Sequence, residues 1–124
     1  MDYPQTARLV HRFRSLLPEV QAAVIVSAEG EVAVRSVTRD ADRFLAPILA
    51  ALATVAERAC QESGRGPLEQ VLVRGPRGML IAQELGGGWT MGVVTPPDGR
   101  LGLILDDLQA LSGRLFTTLA QEAA

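Results

Sequence analysis

Phe44 to Ala56 reads FLAPILAALATVA, thirteen residues with no charge and one weak polar group, Thr54. Asp40, Asp42 and Arg43 precede it, and Glu57, Arg58, Gln61 and Glu62 follow it. At helical spacing Leu45, Leu49, Leu52, Val55 and Ala59 mark one face, and Pro47, Ala50, Ala51 and Thr54 mark the other. A helix that is apolar all round is covered all round. The run is too short to cross a bilayer, which takes about 20 residues. The chain's own sheet can cover one face, and a second copy of the helix is the simplest cover for the small-residue face. The stretch therefore predicts an interaction protein, a homodimer; with no lysine, one histidine, one cysteine and no nucleophile beside an evident base, the chain is expected to have no intrinsic catalytic activity.

A chain of 124 residues is expected to form one domain, residues 1–124, with a core large enough to need no covalent staples. Its formal net charge of -2 gives no electrostatic case for nucleic acid or for an anionic membrane. The single Cys60 excludes an internal disulfide and fits a reducing, cytoplasmic setting. Asp2, Arg8, Arg12 and Arg14 near the start leave no apolar core for a signal peptide. All twelve basic residues are arginine, so lysine-dependent phosphate loops and Schiff bases are excluded.

Leu9, Phe13, Leu16 and Leu17 repeat at helical spacing and predict a helix over 5–17, with Thr6 as N-cap and Pro18 as its stop. Ala22–Ser27 and Glu31–Val37 read as a hairpin turned at Ala28-Glu29-Gly30, the second strand at an edge. The long helix is expected from Asp40 to Ser63, closed by Gly64. Pro47 requires either a start near Ala46 or a kink. Leu68–Arg74, Met79–Leu85 and Trp89–Thr95 read as a meander, separated by Gly75-Pro76-Arg77-Gly78 and Gly86-Gly87-Gly88. Leu101, Ile104, Leu105, Leu108, Leu111, Leu115 and Leu119 line one face of a last helix over 101–119. The order α-β-β-α-β-β-β-α, with strands apolar on both faces, predicts an α+β sheet between the long helix and the two terminal helices.

Four segments carry a resemblance to the roadblock/dynein-light-chain family: AAVIVSAEGEVAVRS (22–36), FLAPILAALATVAERACQESGRG (44–66), LEQVLVRGPRGMLIAQELGGG (68–88) and PDGRLGLILDDLQ (97–109). The resemblance implies a five-stranded antiparallel sheet of order 2-1-5-4-3. It implies homodimers in which the long helices meet and the third strands can join. It also implies a Ras-like small GTPase as partner. The chain is most similar to the bacterial Mgl-type partners, which stimulate GTP hydrolysis by aligning the GTPase's own catalytic residues. The alternative the family offers is a scaffold that binds a GTPase or other proteins without changing hydrolysis.

Other residues invite chemistry and are better read structurally. Gly86-Gly87-Gly88 lacks the lysine and the helix of a phosphate loop and reads as a hairpin turn. His11 and Cys60 have no metal-ligand or catalytic partner in the pattern. Asp106 and Asp107 point about 100° apart on a helix and do not share a ligand. Trp89 and Met91 alternate on a strand as core or groove lining. Arg39, Arg43, Arg74 and Arg77 lie where an arginine could reach a transferring phosphoryl group, but the Mgl-type resemblance argues against such a finger. No cofactor or metal is expected. The dimer interface is expected at Ala50, Ala51, Leu52, Val55, Val71 and Val73. The GTPase-binding surface is expected at Arg43, Pro47, Thr54, Glu57, Arg58 and Gln61.

Overall fold

The computed structural model describes residues 2–38 and 44–124. Its elements run α1 (Pro4–Leu16), β1 (Ala22–Val26), β2 (Val32–Val37), α2 (Leu45–Glu62), β3 (Gln70–Gly75), β4 (Gly78–Gly86), β5 (Trp89–Thr95) and α3 (Leu101–Ala123). The strands form one antiparallel sheet of order β2-β1-β5-β4-β3, as expected. The β1–β2 turn uses a left-handed Gly30, φ 84°, whose N–H donates to the Ser27 carbonyl. Gly86 pairs with Trp89 across β4 and β5. Gly87 and Gly88 form the two-residue turn between them, at φ 61° and 83°, the backbone that two-residue hairpins prefer.

Side-chain alternation divides β1 between two cores. Ala23 and Ile25 of β1 join Ile81, Met91 and Val93 beneath α1 and α3. Val24 and Val26 join Ala82, Ala46 and Leu49 beneath α2. The sheet is thus covered on both faces, and β1 is buried at every residue. On α3, Ile104, Leu108, Leu115 and Leu119 are fully buried.

Helix α2 lies close to the sheet because the sheet yields space at Gly92. A Cβ added there would stand 2.6 Å from Leu49 Cδ2 and 3.0 Å from Cδ1. Leu49 is wholly buried and drops onto the bare β5 backbone. Ala46 and Ala53, one turn either side, keep the approach close. Pro47 falls at the third residue of α2, within the first turn, where helical N–H groups have no intrahelical acceptor. The helix therefore starts beside Ala46, without a kink at Pro47. Asp40, Asp42 and Arg43, expected in its first turn, lie outside the described residues. At its end Gly64 (φ 69°) donates to the Gln61 carbonyl and Arg65 to the Cys60 carbonyl. This pair of bonds satisfies the last carbonyls of a helix closed by glycine.

Two expectations for α1 are corrected. Thr6 is not the N-cap; Tyr3 is, without a capping side chain, and Pro4 takes the first position. The capping acceptor comes from the other end of the chain. Glu122 accepts the N–H of Gln5 at 2.7 Å, the N–H of Thr6 at 2.8 Å and the Thr6 hydroxyl at 2.6 Å. Burial pushes the Glu122 carboxyl up, and these three bonds outweigh it, holding it below the usual range. Leu16 does not belong to the buried stripe, being 67% exposed. The stripe is Thr6, Val10, Phe13 and Leu17. One residue of error in phase turns Leu16 outward and hides Val10.

Arg14 ties the end of α1 to the sheet, donating to the carbonyls of Val20, Gln21 and Ser36. Arg100 fixes the start of α3 by a two-pronged pair with Glu19, at 2.7 and 2.9 Å. The Arg100 hydrogen bond lowers the Glu19 carboxyl to about 2. A carboxyl held below its ordinary 4.5 stabilises the fold above that pH, and the contribution is lost as pH falls toward 2. Thermal unfolding of the wild type should therefore fall more steeply between pH 4.5 and 2 than that of Glu19→Gln. Gly92→Ala, by overpacking Leu49, should cost about 1–3 kcal/mol in urea unfolding. Its effect should shrink in a Leu49→Ala background.

Candidate interaction surface

The inward stripe of α2 is Ala46, Leu49 and Ala53. Its opposite side carries Phe44, Ile48 and Val55, exposed at 72%, 55% and 68%, with exposed Ala51 between them. Positions 44, 48, 51 and 55 alternate four and three residues apart, the spacing of a helix that packs lengthwise on another helix. Past the stripe the helix turns polar, with Arg58 and Glu62 paired at 2.9 Å. Ala51 and Val55 lie on this stripe. Ala50 and Leu52 are half-buried on its two flanks, and Leu52 packs on the α2 side of the sheet, as does Val71. Phe44 and Ile48 extend the stripe beyond the residues that composition singles out, and the four-three spacing is the signal that finds them.

Strand β3 forms the edge beside this layer. Val71 and Val73 share the α2 side of the strand, Val71 half-buried and Val73 44% exposed. Leu72, on the other face, is 42% exposed. Among the described residues no strand pairs with the outer side of β3, which makes the edge a template for another strand.

Pro47, Thr54 and Gln61 recur every seven residues, and Glu57 and Arg58 lie next to them, so these five residues share one polar flank of α2. Arg43 lies outside the described residues, as does Arg39. The Thr54 hydroxyl donates to the Ala50 carbonyl at 3.0 Å. Glu57 accepts the Leu68 N–H at 3.0 Å and the Gln61 amide at 3.1 Å, so it also ties α2 to the segment entering β3. Between this flank and the hairpin turns lies an open cleft of about 290 Å³, lined by Thr54, Glu57, Glu84 and Thr90 among others. Burial pushes the Glu84 carboxyl up, against the Thr90 hydroxyl that donates to it at 3.2 Å. Arg74 and Arg77 are exposed at the β3–β4 turn, and His11 is exposed on α1. The described residues include no group of three or more His, Cys, Asp or Glu placed to hold a metal ion. No helix among them is long and apolar enough to cross a membrane.

The sequence pattern of the Roadblock/LC7 domain matches residues 6–95, from α1 to the end of β5. The chain belongs to the Roadblock/LC7 family. Among solved structures, this Roadblock/LC7 domain is similar to MglB of Myxococcus xanthus, at 15% identity and TM-score 0.86, over 98% of this chain and 99% of that one. It is similar to an MglB with a tetrameric arrangement, at 17% identity and TM-score 0.84, over 98% and 92%. It is also similar to a Roadblock/LC7 domain from Streptomyces avermitilis, at 18% identity and TM-score 0.78, over 94% and 96%. At these identities the likeness is one of fold. No curated protein sequence matches the chain.

Proposed function

We propose that this Roadblock/LC7 domain is a homodimeric regulator of a Ras-like small GTPase, acting by stimulating GTP hydrolysis. The observation that carries the reading is the division of α2 into an unpartnered apolar stripe and an adjoining polar flank. Phe44, Ile48, Ala51 and Val55 pair with the same residues of a second copy, and the free β3 edges lie close enough to join the sheets. Val71 and Val73 then contribute beneath the paired helices. Pro47, Thr54, Glu57, Arg58 and Gln61 remain open beside the helix pair and form the GTPase-facing surface, with Arg43 as a further candidate.

GTPase switch segments change shape with the γ-phosphate. A surface that prefers their GTP-bound shape binds that state more tightly and shifts its population. Charges at the rim of such a surface govern association rate and salt dependence. The fold likeness to MglB and the Mgl-type resemblance of the sequence support this partner class. Such a regulator holds the GTPase's own residues in line and needs no catalytic group of its own.

Two measurements test the reading. Light scattering at micromolar concentration should give the mass of two chains. Ala51→Glu should then give one, because an unpaired buried charge weakens the pair by about 3–5 kcal/mol. A wild-type monomer ends the dimer reading. GTP turnover by a Ras-like GTPase from the same source should rise when the wild type is added, and the domain alone should show no turnover. Arg58→Glu should weaken binding to that GTPase while leaving the dimer intact. Binding without any change in turnover assigns the domain as a scaffold.

A further inference from the structure

Helices α1 and α3 run antiparallel over the sheet face opposite α2, with Glu122 meeting Thr6 at one end and Arg100 meeting Glu19 at the other. An open groove of about 360 Å³ lies between them. Its floor is apolar, formed by Leu9, Phe13 and Leu16 of α1 with Ala110 and Leu111 of α3. Phe13 is buried, Leu9 and Leu111 are half-buried, and Leu16 and Ala110 are exposed. The leucine that α1 leaves outside the core therefore stands at the groove. Both walls repeat with one period. The lining falls at 9, 12, 13 and 16 on α1 and at 107, 110, 111 and 114 on α3. Each wall thus spans seven residues with its middle filled, the spacing at which a helix receives another helix lengthwise. A strand repeats every two residues and a polyproline segment every three, and neither matches both walls.

The charges at the rim select among helices. Helix α1 carries Arg8, Arg12 and Arg14 and no acidic residue. Arg14 is turned to the sheet, and Arg12 lies on the groove. On α3 the antiparallel order sets Arg114 at the Leu9 end and Asp107 at the Leu16 end. Among the described residues neither Arg12 nor Arg114 is paired with a carboxylate. Positive charge therefore gathers beside the apolar floor, and acidic groups on the occupant complement it. We infer that the α1–α3 groove is a docking site for an amphipathic helix of a partner protein, with acidic residues beside its apolar stripe set over Arg12 and Arg114. The site lies on the face away from α2 and does not depend on the GTPase reading.

The intact protein is titrated, by fluorescence anisotropy, with three labelled and end-capped peptides of about 20 residues, long enough to form a helix. The first carries leucine at heptad positions a and d and glutamate at e and g. The second has lysine in place of glutamate. The third keeps the composition of the first with its leucines moved off the stripe. The glutamate peptide should saturate with a dissociation constant below about 1 mM, and the other two should bind at least about tenfold more weakly. Reversing both arginines, Arg12→Glu with Arg114→Glu, should weaken the glutamate peptide about tenfold and favour the lysine peptide. Both side chains are exposed, and circular dichroism with urea midpoints checks the fold. Arg114→Gln, with a loss of about threefold, serves if the double variant does not fold. No binding of the glutamate peptide overturns the site. So does equal binding of the lysine or the off-stripe peptide, or unchanged affinity in the variants, which places the peptide elsewhere. A fall in light-scattering mass in the double variant shows a second copy in the groove and also overturns it.

Discussion

The close seat of Leu49 on Gly92 governs the architecture. A helix packs against a sheet at a distance set by the side chains between them. Here the sheet contributes bare backbone at Gly92, and the helix contributes alanines at 46 and 53 around one leucine. With so small a fully buried set, α2 leaves Phe44, Ile48, Ala51 and Val55 exposed on the side away from its own sheet. The helices on the other face are larger contributors to the core, with Val10, Phe13, Leu17, Ile104, Leu108, Leu115 and Leu119 buried against the strands. The two layers are therefore unequal in kind. One completes a hydrophobic core within the chain, and the other is a thin cover whose outer surface is apolar.

Much of this was legible in the residues. Strand positions followed from β-branched runs between glycine turns, and the order 2-1-5-4-3 followed from the family resemblance. The start of α2 could be narrowed because proline is tolerated only in a first turn, and Pro47 sits there. Other features were not legible, for reasons of range and of phase. The cap of α1 comes from Glu122, 116 positions from Thr6, and no local pattern announces a partner so distant. Leu16 and Val10 exchanged roles because a one-residue step turns a helical side chain about 100°. In α2, uniform apolarity hid the inward direction: with leucine and alanine on every side, only Gly92 on a distant strand selects Leu49.

The candidate surface shows the same division. The small-residue run announced that α2 would meet something beyond its sheet, and Ala51 and Val55 lie on its outward stripe. Phe44 opens the run and Ile48 follows Pro47 within it, where composition alone gives them little weight. Glu57 had the appearance of a free rim charge. In the structure its carboxylate accepts the Leu68 N–H, so one side chain both faces the cleft and positions the entry to β3. Stability and recognition are coupled at that residue.

The bond between Glu122 and the first turn of α1 has a topological consequence. It brings the two ends of the folded chain to one place, so the backbone traces an almost closed circuit. Which residue comes first is then of little physical importance to the fold. A circular permutant, with its original ends bridged by a short linker and new ends opened at an exposed turn such as Pro76-Arg77, would preserve both cores and the stripe on α2. In such a rearranged chain the carboxylate that caps α1 would sit a few residues before the helix it caps, and a long-range contact would become a local one.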